Sequence, residues 1–190
     1  CDLSDSGQRR ELIGAVVRDG QGLDILVNNA SVYRRRPLME TSEAQFIDDY
    51  RVNMMAPFDL MRQFAERCGE GCIINLLDQR VAVVDAGAGA YGLAKKSLRD
   101  VTEAAAVEWA PKIRVNGVAP GVVLPPPGVS EEKMLPLLEN VPMKARSAPG
   151  EVARACSFLA SSPTITGQIL YVDGGMHLVS PKVPEKTPSS

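Results

Sequence analysis

Tyr91 and Lys95 stand four residues apart. On a helix that spacing puts both side chains on one face, close enough to meet. An ammonium beside a phenol favours the phenolate, which suits a tyrosine, ordinarily titrating near pH ~10, to exchange a proton near neutrality. Two common residues at this interval also arise by chance as an exposed pair, so their surroundings decide. Asp78 lies thirteen residues before Tyr91, at the end of an apolar run, and Asn53 interrupts a largely apolar helical stretch where its own propensity is poor. A phenol, an amine, a carboxylate and an amide are the parts of a proton-transfer site.

These residues need elements to carry them. Leu12, Ile13, Val16 and Val17 recur at helical spacing over 5–20, with Asp5 or Ser6 as N-cap and Gly20 as stop. Residues 23–27 read as a short buried strand ending in Asn28-Asn29. Ser42 and Gln45 form a capping box for a helix over 43–67, distorted near Pro57. Residues 72–77 are apolar on both faces apart from Asn75, as in the middle of a covered parallel sheet, and they deliver Asp78. A helix over 90–110 carries Tyr91 and Lys95, and a strand over 113–118 runs into Pro120-Gly121. After Pro125-Pro126-Pro127 come a short helix near 131–139 that Pro136 breaks, a helix over 151–161 and a last strand over 168–172. The stretch 180–190 holds almost no apolar residue and is expected to be a disordered tail. Such alternation predicts an α/β fold with an open, doubly wound parallel sheet, whose ligands bind beyond the carboxyl ends of the strands. Asn28-Asn29, Asp78 and Pro120-Gly121 all fall there.

The 190 residues are 45% apolar and 23% charged, which describes one domain with a sizeable core and excludes a disordered or collagen-like chain. Twenty-one basic residues stand against 23 acidic ones, and a net charge of -2 gives no electrostatic reason to expect nucleic acid or an anionic membrane. No apolar run approaches the ~20 residues of a membrane helix. Cys1, Cys68, Cys72 and Cys156 lack the paired spacing of a zinc site and read as reduced structural thiols of a cytoplasmic protein, Cys72 being buried in its strand. His177 has no second His or carboxylate at ligand spacing, so no metal is expected; Trp109, Met54 and Met55 read as packing. The chain opens Cys1-Asp2-Leu3 without an initiator Met or a signal segment, as though cut from something longer.

Asn29-Ala30, Asn53, Asp78, Tyr91, Lys95, Pro120-Gly121 and Val172-Asp173-Gly174-Gly175, in this order and at these intervals, resemble the short-chain dehydrogenase/reductase family as far as about Leu178. The resemblance implies a Rossmann-type nicotinamide enzyme. Tyr91 is then the proton donor, Lys95 binds the nicotinamide ribose and lowers the tyrosine pKa, and Asn53 holds a water on the proton path. Asp2-Leu3 falls where the family recognises adenine; Asn29, Ala30, Ser31 and Pro120-Gly121-Val122 line the rest of the cofactor. Leu124, within 124–129, closes one side of the substrate pocket as a stiff lid, and Asp173-Gly174-Gly175 turns the chain after the last strand.

Most of the family carries a Ser where this chain has Asp78. An Asp there is similar to the pteridine reductase and dihydromonapterin reductase branch, in which Tyr33 would stack on a flat pterin and Ser31 would touch cofactor and ligand. An ionised carboxylate cannot donate to an oxyanion as a hydroxyl does. It does suit a nitrogen heterocycle, because an Asp78–Tyr91 relay can protonate ring nitrogen while hydride reaches the carbon of a C=N bond. The plainer alternatives are that Asp78 caps a loop or pairs with Arg80, and that Tyr33 packs on its own surface. Arg34-Arg35-Arg36 reads as a solvated basic cluster rather than a dock for an acidic substrate tail.

The expected activity is NADPH-dependent reduction of pterins or dihydropterins by a homo-oligomer, a dimer or tetramer, with NADH the other candidate cofactor. A second reading is a short-chain reductase of a carbonyl substrate such as a 3-oxoacyl thioester. A third is a truncated, non-catalytic oligomerising form, because the glycine-rich strand–turn–helix that cradles a dinucleotide pyrophosphate is not among the 190 residues. Gly87 and Gly89 lie too far beyond the 72–77 strand to replace it. On this view residues 1–179 form one Rossmann-type domain, N-terminally incomplete, entered near its third strand and roughly 60 residues short of a ~250-residue domain.

Overall fold

The structure, a computed structural model, describes residues 1–18, 22–125 and 128–179; Gly20, Pro126, Pro127 and the expected tail over 180–190 lie outside the described residues. Four strands, β1 (Ile25–Asn28), β2 (Gly71–Leu76), β3 (Ile113–Pro120) and β4 (Ile169–Val172), form one parallel sheet in that order. Asn28 pairs with Asn75 and Asn75 with Gly117, so the carboxyl ends of the first three strands lie side by side. Helices cover both faces, the Rossmann-type arrangement expected.

The expected first helix is two. Asp5 caps α1 (Ser6–Arg10), its carboxylate accepting from the amides of Gly7 and Gln8. The chain breaks at Glu11 and resumes as α2 (Leu12–Val17). The break lets two different contacts form: Arg9 is buried on Asp59 and the Leu3 carbonyl, while Gly14 sits against Arg67, where a methyl would come within 2.9 Å of the guanidinium.

Ser42 and Gln45 close the expected capping box at the start of α3 (Glu43–Tyr50). The distortion then precedes Pro57: a π-helical turn over Arg51–Met55 leads into α4 (Ala56–Cys68), which stops at Gly69 with φ 74°. Pro57 has no amide to offer the Asn53 carbonyl four residues back, and one extra residue in the turn places that defect where a new helix begins.

With α5 (Gly89–Glu108), α4 covers one sheet face around Phe64, Met61, Ile73, Leu98 and Val115. On the other face α7 (Pro149–Ser161) packs Leu159 and Ala155 against Ile74, Leu76 and Val118. β1 corrects the expectation of a buried strand. Ile25 and Val27 are 46% and 45% exposed, because they point away from the core that takes Leu26, and β2 is the strand's sheet neighbour among the described residues.

Pro136 also acts otherwise than expected. After a 3-10 turn over Glu131–Met134 it sits in the first turn of α6 (Leu135–Leu138), where a missing amide breaks no helical bond, so it starts a helix rather than breaking one. Within the sheet Asn75 is satisfied rather than stranded: it accepts from Asn28 Nδ2 at 2.8 Å and donates to Thr102 Oγ1 at 2.9 Å, tying β1 and β2 to α5. All four cysteines are free thiols. Among the described residues no helix is long and apolar enough to cross a membrane.

Candidate active site

Asp78 leaves β2 in an extended conformation and caps a 3-10 turn over Gln79–Val81, with Oδ1 accepting the Arg80 amide at 2.8 Å. Its other oxygen, Oδ2, accepts the Tyr91 hydroxyl at 2.8 Å. The register that lets them meet depends on Gly89, whose φ of 47° opens α5 and where any side chain would strike the Arg36 carbonyl. Tyr91 follows on the first turn and Lys95 one turn later, both buried.

The pair shares a helix face as its spacing predicts, but it does not act as expected on the phenol. Lys95 Nζ donates to the Leu76 carbonyl at 2.7 Å and lies 5.9 Å from the Tyr91 ring centre, beneath the ring rather than at the hydroxyl. Burial, followed by the charge and hydrogen bond of Asp78, holds Tyr91 far above its ordinary pKa, against weaker opposite pulls from Arg80 and Ser31. Tyr91 is thus held as the neutral acid. Lys95 moves the other way: burial lowers it to about 8, with Asp78 resisting.

Arg80 completes the cluster. One guanidinium nitrogen, Nη1, reaches both Asp78 oxygens, at 3.2 and 3.1 Å, while Nε donates to Asp85 at 2.8 Å. Burial, the largest influence, works against the cation, and the two carboxylates outweigh it, raising the Arg80 pKa. Capping a turn and pairing with Arg80 therefore coexist with the Tyr91 contact.

The loop after β1 is held by Asn53, which is fully buried. Its Oδ1 accepts from Ser31 Oγ at 2.7 Å and the Val32 amide at 3.2 Å, and its Nδ2 donates to the carbonyls of Val32 and Asp49, both at 2.9 Å. That fills every side-chain valence of the amide. Tyr33, 40% exposed, packs on the site rather than on its own loop: its ring is edge-on to Tyr91 at 4.7 Å, with the Arg80 guanidinium 5.0 Å from its centre. The three arginines that follow are not merely solvated. Arg34 reaches the buried Asp49 at 3.7 Å, Arg35 reaches Asp85 at 4.0 Å, and the Arg36 amide donates to the Gly87 carbonyl.

A cavity of about 670 Å³ gathers Asn29, Ser31, Asp78, Tyr91, Lys95, Pro120, Gly121 and Leu124. Its remaining wall includes Val152, Ala153 and Cys156 of α7, which sequence reading missed because an apolar helix face carries only a packing signal. Gly121 has no room for a side chain: a methyl would lie 2.8 Å from the Asp173 Cβ. Val122 is not among the lining residues and gives its carbonyl to the Ser147 amide. A second cavity of about 250 Å³ holds Leu3 and Ala30 and shares Val27 and Asn29 with the first, so the two adjoin around the end of β1. Asp2, at its margin in sequence, spends one carboxylate oxygen on the amide and hydroxyl of Ser4.

His177 needs correction as well. A carboxylate does face it: Asp173 Oδ2 lies 2.8 Å from its Nδ1 and accepts its amide, while the ring stacks on Tyr171. Asp173 also accepts from the Gly175 amide, and Gly174 and Gly175 take the positive φ the turn requires. Met55, expected as packing, is half exposed.

With this geometry in place the comparisons are specific. The family model described as enoyl-(acyl carrier protein) reductase matches residues 1–177. The chain belongs to the short-chain dehydrogenase/reductase family. One relative is an uncharacterized oxidoreductase of Mycobacterium tuberculosis, 31% identical over 189 residues, covering 93% of this chain and 71% of that one. Another is the 3-oxoacyl-[acyl-carrier-protein] reductase FabG of Staphylococcus aureus, 31% identical over 186 residues, covering 94% and 76%. Among solved short-chain dehydrogenase/reductase structures, FolM alternative dihydrofolate reductase 1 from Brucella canis, complexed with NADP, superposes with a TM-score of 0.86 at 28% identity, covering 97% of this chain and 74% of that one.

Proposed function

We propose that this oxidoreductase is an NADPH-dependent reductase of pterins or dihydropterins, NADH being the alternative cofactor. The carrying observation is the Asp78–Tyr91 hydrogen bond at the mouth of β2, in a cavity that also receives Lys95, Ser31 and Asn29. The likeness to the FolM structure supports the same substrate class. The residues present fit the nicotinamide and ribose end of the cofactor: Pro120 and Gly121 line the cavity beyond β3, and the Lys95 ammonium stands at its wall below Tyr91. When bound, a reduced nicotinamide supplies hydride to the substrate carbon.

The chain's own groups supply the proton. Reduction of C=N breaks the π bond, adds hydride at carbon and requires a proton at nitrogen. Tyr91, kept neutral by burial and Asp78, gives its hydroxyl proton to that nitrogen once the hydroxyl turns from Asp78 to the ligand. The Lys95 cation then faces the phenolate through the ring side and favours it. Asp78 receives the hydroxyl back when solvent returns the proton. Tyr33, with its outer edge exposed, stands beside this point as an aromatic wall for a planar ring.

A carbonyl reductase is the second reading, supported by the FabG relative. Exposed Met55 and Phe58 of the rod through α4, with Leu93 and Val107 of α5, support assembly with further copies. The test is turnover. The purified protein is expected to oxidise NADPH with 7,8-dihydrobiopterin or dihydromonapterin; reduction of a 3-oxoacyl thioester with neither pterin consumed would overturn the proposal in favour of the second reading.

A further inference from the structure

Arg80 lies outside the set of groups proposed to react, yet it holds the carboxylate that meets Tyr91. Its Nη1 bridges both oxygens of Asp78, its Nε holds Asp85, and its guanidinium faces the Tyr33 ring. It therefore binds the two carboxylates of its own segment, Asp78 and Asp85, and ties that segment to the distant loop after β1 through Tyr33. Its side chain is largely buried, and removing it would leave two carboxylates facing each other without their shared counter-charge.

The Asp78 oxygens are unequal as a result. Oδ1 is filled by the Arg80 amide and guanidinium. Oδ2 is shared between Arg80 and the Tyr91 hydroxyl, and it is the one released when that hydroxyl turns to a substrate. A group occupying the freed position must donate, since a carboxylate fixed against a guanidinium offers only lone pairs. A heterocycle that accepts at its C=N nitrogen and carries N–H groups elsewhere on its ring system meets both needs, accepting from Tyr91 and offering donors to Asp78. A ketone or thioester carbonyl brings acceptors alone, and would set an acceptor against a carboxylate oxygen that has lost one of its two donors and keeps only Arg80.

We infer that Arg80 is the positioning residue of the site: it fixes Asp78 as a permanent acceptor aimed at the Tyr91 hydroxyl, and so favours substrates whose ring system carries N–H donors over substrates that bring acceptors alone. The selectivity rests on the pterin reading above; the positioning does not.

Two measurements separate them. In protein labelled at tyrosine Cζ, the Tyr91 carbon signal, assigned through Tyr91→Phe, reports the hydrogen bond to Asp78 without any substrate. Arg80→Met is expected to move this signal to the position it has in Asp78→Ala, and Arg80→Lys, which keeps the charge but loses the planar fork, to a position between that and wild type. A wild-type signal in Arg80→Met overturns the inference whatever the substrate proves to be. Should Arg80→Met fail to fold, Arg80→Lys decides by the same comparison.

The second measurement is the ratio of kcat/KM for 7,8-dihydrobiopterin to that for an acetoacetyl thioester. Arg80→Met is expected to lower it at least about tenfold, with the KM for NADPH unchanged and partial recovery in Arg80→Lys. An unchanged ratio overturns the selectivity. Wild-type protein that reduces only the thioester sinks the pterin reading and the selectivity together, and the carbon signal alone then decides the role of Arg80.

Discussion

The two sides of the cavity are built on different terms. On the side formed by β2 and α5, Lys95 and Tyr91 are buried and Asp78 nearly so, and each polar group has a partner within 2.8 Å. On the opposite side the wall is apolar, made by Val123 and Leu124 after β3 and by Val152, Ala153 and Cys156 of α7, with Leu124 64% exposed. The first side presents polar groups fixed by the register of regular elements; the second presents apolar side chains from α7 and from the segment after β3. Chemistry that tolerates little displacement sits on the first, and shape recognition is left to the second.

The contrast can be broken at either side. On the rigid side, Tyr91→Phe removes the hydroxyl proposed as the acid while keeping the ring and its packing on Tyr33. Turnover is expected to fall by about 10³-fold with the melting temperature nearly unchanged. Comparable turnover in the variant would move the proton source elsewhere.

Lys95 comes next, and its sign can be worked out. Its folded pKa, about 8, lies below the ordinary value of 10.5, so the buried ammonium costs stability in full below pH 8, and the cost lifts as pH rises from 8 to 10.5. Turnover that needs the cation is expected to fall as pH rises through about 8. Lys95→Met should be nearly inactive yet melt roughly 3–6 °C higher than wild type at pH 7, with the gap closing above pH 10.5. Equal melting temperatures throughout would show that the hydrogen bond to the Leu76 carbonyl offsets the buried charge.

At the outer rim the smallest effect is expected. Leu124→Ala trims a half-exposed side chain and should raise the KM for substrate a few-fold, about threefold, leaving kcat as it is. A fall in kcat of Tyr91→Phe size would erase the distinction between the two sides.

Much of this was legible before any coordinates. Tyr91 with Lys95 obeys a local spacing rule, Ser42 with Gln45 a local capping rule, and Asn28-Asn29, Asp78 and Pro120-Gly121 a topological one, so each could be placed from the chain alone. What was not legible depends on contacts between distant segments. The Tyr91 pKa goes up rather than down because burial and Asp78 outweigh Arg80 and Ser31, while the fold points Lys95 at a carbonyl. The splitting of 5–20 into α1 and α2 depends on Asp59 and Arg67, some 50 residues away, and the π-helical turn on where Pro57 falls relative to Asn53. The pairing of Arg80 with Asp78 was open to sequence reading, whereas its contact with Tyr33 forms only when the loops after β1 and β2 converge.

The central claim is that a carboxylate at the end of β2 sets the substrate class. It is tested most directly by exchanging that one group, Asp78→Ser, and measuring kcat/KM with NADPH for 7,8-dihydrobiopterin and for a 3-oxoacyl thioester side by side. Pterin reduction is expected to fall about 10²-fold while thioester reduction rises. A variant that keeps its pterin turnover, or a wild-type enzyme that prefers the thioester, would contradict it.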